Sequence, residues 1–474
     1  MDGCRKKDRK ENRRLPAIVL SRVIKFSLMK LTRRSFLAAA TASSYSRILG
    51  ANDRVQVGFI GYGLIGAQHV FDFKNQKDVD MAAMSDTYQP RLEQGVAACG
   101  GNAKAYPDFR RMLDDKNIQA VVVSTPDHWH AMMSILACAA GKDVYVEKPL
   151  TLFVAEGRWM TKAARKYNRV VQTGTQQRSG LHYQQAKKLI QEDAIGKIVS
   201  VRMQASRNIM PGFGVPPASA TPSDFNYDMW LGPAPLRPYS PHRGIYHFRW
   251  FWDYSGGQMT NLGAHSIDIM QWYLKVLGPS SVSSIGGRFA LKDDGETPDT
   301  QDAVFEYPNF NATWSHRETS LGRRLGGGLE FYGTKGSLGI DRSGFEITPD
   351  MSVDPESAIP QFQGHPGGGP KKSEFKTTPW TKAVKESGSA GQQFDLHVRN
   401  FLDCIKTRQR PISDVEDGHR VAVTCHLANM SLRLGRKLRW DPVKEDIIGD
   451  PEASKMLVRP YRKPWDQVLK SFNL

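Results

Sequence analysis

An α/β chain, with a parallel sheet of the Rossmann type followed by an open and mostly antiparallel sheet, is predicted by three observations. Short apolar runs alternate with amphipathic stretches from Val55 to Gln176. A glycine-rich turn, Gly61-Tyr62-Gly63-Leu64-Ile65-Gly66, lies directly behind the first run. Past Gln176 the alternation gives way to longer alternating runs joined by short turns rich in Gly, Asn and Pro. The first two features mark βαβ units, and the third marks a sheet with one packed face.

The first 51 residues read as a leader. Residues 1 to 50 hold 13 Lys/Arg and 3 Asp/Glu, a surplus of +10, so the rest of the chain carries only +7 of the total +17. The charge therefore belongs mainly to the leader. No basic stripe interleaved with aromatics appears, so nucleic acid is not an expected partner. Met29, the expected start of translation, opens MKLTRRSFLAAATA, in which Arg33-Arg34 is followed by Ser35, Phe36 and Leu37. This pattern predicts export through the twin-arginine (Tat) machinery and a periplasmic or exported location; the alternative is a chance arginine pair in a basic tail. No run of about 18 apolar residues suggests a membrane span.

Residues 52–176 form the predicted dinucleotide-binding domain. Its strands are placed at Val55–Ile60, Val79–Met84, Ala120–Ser124, Val144–Glu147 and Val170–Thr173. Helices are placed at Gln68–Asn75, Pro90–Ala98, Phe109–Asp114, His130–Ala140 and Ala155–Tyr167. Residues 177–440 form a substrate and oligomerisation domain. It opens with a helix at Tyr183–Gln191 and closes with helices at Phe394–Thr407 and Val415–Leu434. Between them lie strands at Ile198–Ala205, Ser283–Phe289, Ala303–Tyr307, Ala312–His316, Leu329–Tyr332 and Gly344–Thr348. Residues 441–474 are a tail. Segments 206–256 and 351–392 are long Pro/Gly-rich loops, and the aromatic and His content of the first favours function there.

The cofactor reading begins at Gly61, Gly63 and Gly66. The first permits a tight turn, the second a close backbone approach to a pyrophosphate, and the third close helix–strand packing, with Leu64 and Ile65 opening the helix whose N–H groups meet the phosphates. Asp86 follows Gly66 by 20 residues at the end of the next strand. A carboxylate there accepts from ribose hydroxyls and repels a 2′-phosphate, so NAD is favoured over NADP. Two further strand ends carry STPDHWH (Ser124–His130) and VEKPLT (Val146–Thr151). Strand carboxyl ends are where open α/β sheets bind ligands. Lys148 is thus either a proton relay beside the nicotinamide or a surface lysine paired with Glu147. His128 and His130 lack acidic or Cys partners, and the five cysteines have no ligand-like spacing, so no metal is predicted.

GYGLIG, the DHWH segment and above all Glu147-Lys148-Pro149 resemble the Gfo/Idh/MocA oxidoreductase family, over about Val55 to Trp440. The resemblance implies a Rossmann domain, a C-terminal open sheet through which subunits associate as homo-oligomers, and an active-site Lys148 between the domains. It also places Thr125, Pro126, His128, His130 and Glu147 beside the cofactor. A second family mark is GGQMTNLGAHSIDIMQW (Gly256–Trp272). By resemblance to the family's sugar and polyol dehydrogenases, His265 is the base that takes the hydroxyl proton, and Asn261 stands where those enzymes have Asp. Read as a helix, Asn261, His265 and Asp268 fall at i, i+4 and i+7 on one face. An Asn orients the histidine or binds substrate but cannot stabilise its charge. The aromatic loop Tyr239–Gly257 offers Arg243 and Tyr246 for sugar faces and hydroxyls, with two or three of its residues expected on ligand. Arg178 is a further substrate candidate at the domain junction.

The functional expectation is an exported NAD-dependent oxidoreductase acting on a sugar, glycoside or cyclitol hydroxyl. The alternative is a redox-neutral NAD-dependent glycosidase, resembling the NAD-dependent α-N-acetylgalactosaminidases. A binding protein that has lost turnover is disfavoured by the intact Gly66, Asp86, Lys148 and His265.

Overall fold

In the computed structural model, residues 54–322, 327–352 and 378–474 are described. The expected start and signal around Met29 and Arg33-Arg34, Cys4, and residues 353–377 of the second long loop lie outside the described residues.

Strand β1 (Val55–Ile60) is apolar at nearly every position because it lies at the centre of a sheet covered on both faces. The chain then alternates through α1 (Leu64–Lys74), β2 (Val79–Ser85), α2 (Gln89–Ala98), β3 (Lys104–Tyr106), α3 (Phe109–Asp114), β4 (Ala120–Val123), α4 (Asp127–Ala139), β5 (Asp143–Glu147), α5 (Val154–Lys166) and β6 (Val171–Gly174). Every pairing is parallel and the order is β3-β2-β1-β4-β5-β6. The strand order reverses beside β1, which places the ligand crevice over the carboxyl ends of β1 and β4. The three-residue β3 escapes the sequence reading because only Tyr106 in it is buried. Helix α1 starts at Leu64, four residues ahead of the expected Gln68, so its free N-terminus faces that crevice.

The second region begins with α6 (Leu181–Gln191), β7 (Ile198–Ser206), α7 (Tyr227–Leu231) and α8 (Ala264–Leu274). It continues with β8 (Ser281–Gly287), β9 (Thr300–Glu306), β10 (Asn311–Arg317), β11 (Gly327–Gly333), β12 (Gly336–Asp341), β13 (Gly344–Pro349) and β14 (Val384–Ser387). Helices α9 (Gln392–Thr407) and α10 (Val415–Leu434) precede the short strands β15 (Leu438–Asp441) and β16 (Asp446–Ile447), and helices α11 (Pro451–Ser454) and α12 (Trp465–Lys470) end the chain. The ten strands run β14-β13-β12-β11-β7-β10-β9-β8-β15-β16, antiparallel except where β7 meets β10. Its packed face buries Met203, Phe305, Trp314 and Phe331 against Tyr273 of α8 and Leu427 of α10. Strand β12, GSLGID, was not expected because two glycines interrupt its apolar alternation. All four described cysteines are buried free thiols.

The two regions are tied by a buried ion pair. Arg178, just past β6, donates through Nε to both carboxylate oxygens of Asp268 in α8 at 2.9 and 3.0 Å, and its Nη2 lies 2.7 Å from Oδ1. Its Nη1 reaches the Ile412 carbonyl and Asp417, each at 3.1 Å. Arg178 is 2 % exposed, spends most of its donors on these partners and does not line the cleft that holds Lys148 and His265, which corrects the expectation that it binds substrate. The pair also corrects the single polar face expected of Asn261, His265 and Asp268. Residues Met259–Gly263 form a π-helical turn ahead of α8, and Asp268 is 0 % exposed and turned onto Arg178. Removing one partner of such a pair leaves a charge without compensation. Asp268→Ala is therefore expected to lower the unfolding free energy by about 3–5 kcal/mol. Denaturant titration checks this; a substrate role for Arg178 would instead raise KM with stability intact.

Candidate active site

One cleft of about 340 Å³ runs from the Gly61–Ile65 turn, past Ser124–Pro126, to Lys148, His265 and Arg342. Its cofactor half is built at the ends of β1, β2 and β4. Gly61 has φ +94°, a left-handed conformation that favours glycine, and a Cβ on Gly66 would lie 2.1 Å from the Gly61 carbonyl oxygen. Gly66 thus closes the turn from behind and does not itself line the cleft. Helix α1 has no acidic residue in its first turn and no side-chain cap, so its N-terminal N–H groups are open to a phosphate. Asp86 accepts from the Tyr62 and Tyr88 amides at 2.8 and 2.9 Å, one on each oxygen. Burial pushes its carboxyl up against these bonds, and the residue lines the same cleft as the glycine turn. An uncapped helix end, a glycine cradle and an oriented carboxylate fit the pyrophosphate and adenosine ribose of NAD.

The catalytic half is assembled from distant segments. The Lys148 ammonium donates to both the backbone carbonyl and the side-chain Oδ1 of Asn261, each at 3.0 Å. The amide nitrogen of Asn261 in turn donates to Gln258 Oε1 at 3.1 Å, which fixes the flip of the side chain. Burial lowers the Lys148 pKa to about 8, opposed by Glu147 and assisted by Arg249 and Arg342. Glu147 lies underneath. Its carboxylate meets His69 Nε2 at 2.8 Å and Gln176 Nε2 at 2.7 Å and accepts from the Lys148 backbone amide at 3.0 Å. Burial pushes Glu147 up, but His69 and Lys148 bring it below the ordinary carboxylate range. His265 is half-buried with its Nδ1 unpartnered, and burial, Lys148 and Arg342 hold its imidazole well below the usual value. It is therefore a neutral proton acceptor at ordinary pH.

Gly61, Gly63, Leu64, Ile65, Asp86, Thr125, Pro126, His130, Glu147, Lys148, Tyr246, Asn261 and His265 all line this cleft. Two other sequence candidates lie elsewhere. His128 is 1 % exposed and its Nε2 sits 3.0 Å from the Trp230 carbonyl, which also accepts from Trp129; it supports the turn from behind. Arg243 pairs with Glu296 at 3.3 Å and lies over the Phe251 ring. From the aromatic loop it is Tyr246, Arg249 and Trp250 that reach the cleft, with Phe248 beside them. Sequence reasoning missed Asp127, whose carboxylate accepts from Ser255 at 2.5 Å, and Arg207 and Arg342 from the second sheet. Asp127 was legible within the quoted STPDHWH segment; the two arginines carried no local signal. Among the described residues no cluster of three metal-ligating side chains occurs.

Two family models together span most of residues 55–467. "Oxidoreductase family, NAD-binding Rossmann fold" matches residues 55–175, and "Oxidoreductase family, C-terminal alpha/beta domain" matches 179–285 and 381–467. A third, "GFO/IDH/MocA C-terminal domain", matches 235–339. Among curated proteins, the chain is 31% identical to a myo-inositol 2-dehydrogenase of Thermotoga maritima over 143 residues, 30% of this chain and 42% of that one. It is 37% identical to a glycosyl hydrolase family 109 protein of Shewanella sp. over 112 residues, 22% of this chain and 24% of that one. The matched stretches thus span less than half of these relatives. Among solved structures, a levoglucosan dehydrogenase in complex with NADH and levoglucosan superposes with a TM-score of 0.60 at 19% identity, covering 81% of this chain and 99% of that one. At that identity the likeness concerns the fold.

The Asp86 geometry generates a prediction. Asp86→Ala removes the ribose acceptor and the negative charge together, so NAD affinity is expected to fall about tenfold while NADP affinity does not. Calorimetric titration with each nucleotide checks the narrowed ratio.

Proposed function

Because this chain belongs to the Gfo/Idh/MocA oxidoreductase family, we propose that it oxidises a hydroxyl of a sugar, glycoside or cyclitol with NAD held in the cleft. The observation that carries the reading is the meeting of Lys148, Asn261 and an unprotonated His265 at one end of a cleft whose other end fits NAD. NAD, when bound, supplies the hydride acceptor. The chain's own residues handle the proton and the geometry. His265 takes the hydroxyl proton, because its imidazole is neutral and lines the cleft beside Lys148. Lys148 spends two donations on Asn261 and keeps a third for the substrate oxygen. A neutral amide at Asn261, instead of a carboxylate, leaves the lysine near 8 and able to give up its proton.

A second reading is favoured by the similarity to a glycosyl hydrolase family 109 protein. Oxidation of a ring hydroxyl to a ketone acidifies the adjacent C–H. Loss of that proton expels the glycosidic leaving group, water adds to the resulting double bond, and return of the hydride restores the hydroxyl. The sequence reading of a twin-arginine leader supports this chemistry as well, since a cofactor recycled in place suits a compartment without free nucleotide. We propose export on that ground, to be tested by following a reporter fused behind residues 29–51. Self-association through the second sheet is supported by Ile285 and Val304, 73% and 44% exposed on its inner strands β8 and β9; sedimentation velocity tests it.

The cofactor state after turnover separates the two reactions. Aglycone release from a chromogenic glycoside with no net change in nicotinamide absorbance rules out simple dehydrogenation. Accumulation of NADH with an equal amount of keto-sugar rules out the glycosidase cycle. If purified protein neither retains nor binds nicotinamide nucleotide, both fall.

The Lys148 environment adds a pH expectation. The oxidation rate is expected to hold through neutral pH, where His265 is unprotonated, and to decline above about pH 8 as the ammonium is lost. Lys148→Arg removes that alkaline limb, whereas Lys148→Met lowers kcat/KM by roughly 10²–10⁴-fold. Because this pKa is lower in the folded chain than the ordinary 10.5, the charge opposes folding most below about pH 8 and ceases to oppose it above 10.5. Lys148→Met is thus expected to raise the thermal midpoint at pH 7 and to lose that advantage on the alkaline side.

A further inference from the structure

The charges lining the cleft are not balanced. Each carboxylate is engaged: Asp86 by two backbone amides, Glu147 by His69 and Gln176, and Asp127 by Ser255. Among the cations, Arg207 is paired with Glu318, which is itself 1 % exposed. Among the described residues Arg249 has no carboxylate within hydrogen-bond or ion-pair distance, and Asp127 acts on it only through the longer-range field. Its Nη1 meets only the Tyr246 carbonyl at 3.2 Å, and its guanidinium lies 4.6 Å over the Phe248 ring and 5.3 Å over that of Tyr246. Arg342, exposed on the turn between β12 and β13, forms no hydrogen bond or ion pair among the described residues. Both line the same cleft as Lys148 and His265, and both lower the pKa of Lys148.

Two forked cations beside the reacting groups, Arg249 oriented by the rings it lies over and Arg342 free to turn toward a ligand, offer the donors that bind a carboxylate or sulfate. The pyrophosphate of NAD does not account for them. Its cradle is at Gly61–Gly66, where Arg91 already stands, its Nη1 being 3.7 Å from the place a Cβ on Gly63 would take. Resting on the oxidoreductase reading above, we propose that the substrate is an anionic saccharide, its carboxylate or sulfate ester held between Arg249 and Arg342 while the hydroxyl to be oxidised meets His265. Tyr246, 45 % exposed on the same loop, supplies an apolar face on which the sugar ring rests.

The test uses the full chain loaded with NAD and matched sugars that differ in one charge. Methyl glucoside is compared with methyl glucuronoside, methyl galactoside with methyl galacturonoside, and N-acetylglucosamine with its 6-sulfate, by calorimetry and by NADH formation. At least one charged member is expected to bind about tenfold or more tightly than its neutral partner. That advantage should shrink with added salt and fall toward unity in Arg249→Gln and Arg342→Gln, with NAD affinity unchanged. The uronate and sulfate pairs separate the two sources of negative charge. Equal or tighter binding of every neutral member overturns the proposal, as does failure of all three charged members to bind. Loss of NAD affinity in both variants with the preference intact also overturns it, by assigning the arginines to the cofactor. A charged sugar bound in an arginine-dependent way without hydride transfer supports the anion site and overturns only the oxidation reading. Oxidation of neutral sugars without a charge preference does the reverse.

Discussion

The contact on which the site depends is the bond between the Lys148 ammonium and Asn261. It joins the end of the fifth parallel strand to a π-helical turn ahead of α8, two segments more than a hundred residues apart. A half-buried lysine needs compensation, and here a neutral amide oxygen and a backbone carbonyl accept its hydrogen bonds while Glu147 supplies the opposing charge. That carboxylate is drawn beneath by His69 and Gln176. The cation is thus positioned without being fully neutralised. That combination lets one residue both orient an oxygen and release a proton near neutral pH.

The surrounding structure is arranged to keep that contact in place. The Arg178–Asp268 pair locks α8 to the end of the parallel sheet, so the helix carrying His265 cannot slide relative to Lys148. Behind the cleft, His128 and Trp129 share the Trp230 carbonyl and fix the turn that carries Thr125 and Pro126. In front, the aromatic loop and the β12–β13 turn bring Arg249 and Arg342 to the mouth. Asp86 and Arg91 stand together at the ribose end, whereas at the reacting end the cations Lys148, Arg249 and Arg342 outnumber the carboxylates Asp127 and Glu147.

Sequence periodicity located the elements well wherever packing was two-sided or strictly alternating. Phe109–Asp114 and Val415–Leu434 coincide with the helices found, and the strand at Val55–Ile60 does too. It failed for β3, too short and exposed to leave a pattern, and for the glycine-rich β12. The regular helix expected through Asn261, His265 and Asp268 failed for another reason. A π turn changes the angular step, so spacing in sequence no longer reports a shared face.

By itself the sequence determined the cofactor and the chemistry of its neighbours. The glycines at 61, 63 and 66, Asp86 and Glu147-Lys148-Pro149 are local motifs, whose backbone demands and side-chain charges are legible wherever they occur. Only the tertiary structure decided which charges remain free. Arg178, Arg243, Arg249 and Arg342 look alike in sequence. Asp268 and Glu296 consume the first two, while the latter two line the cleft without a carboxylate in ion-pair distance among the described residues. Whether an arginine is a strut or a ligand depends on the carboxylates that long-range folding brings beside it, and no local pattern encodes that.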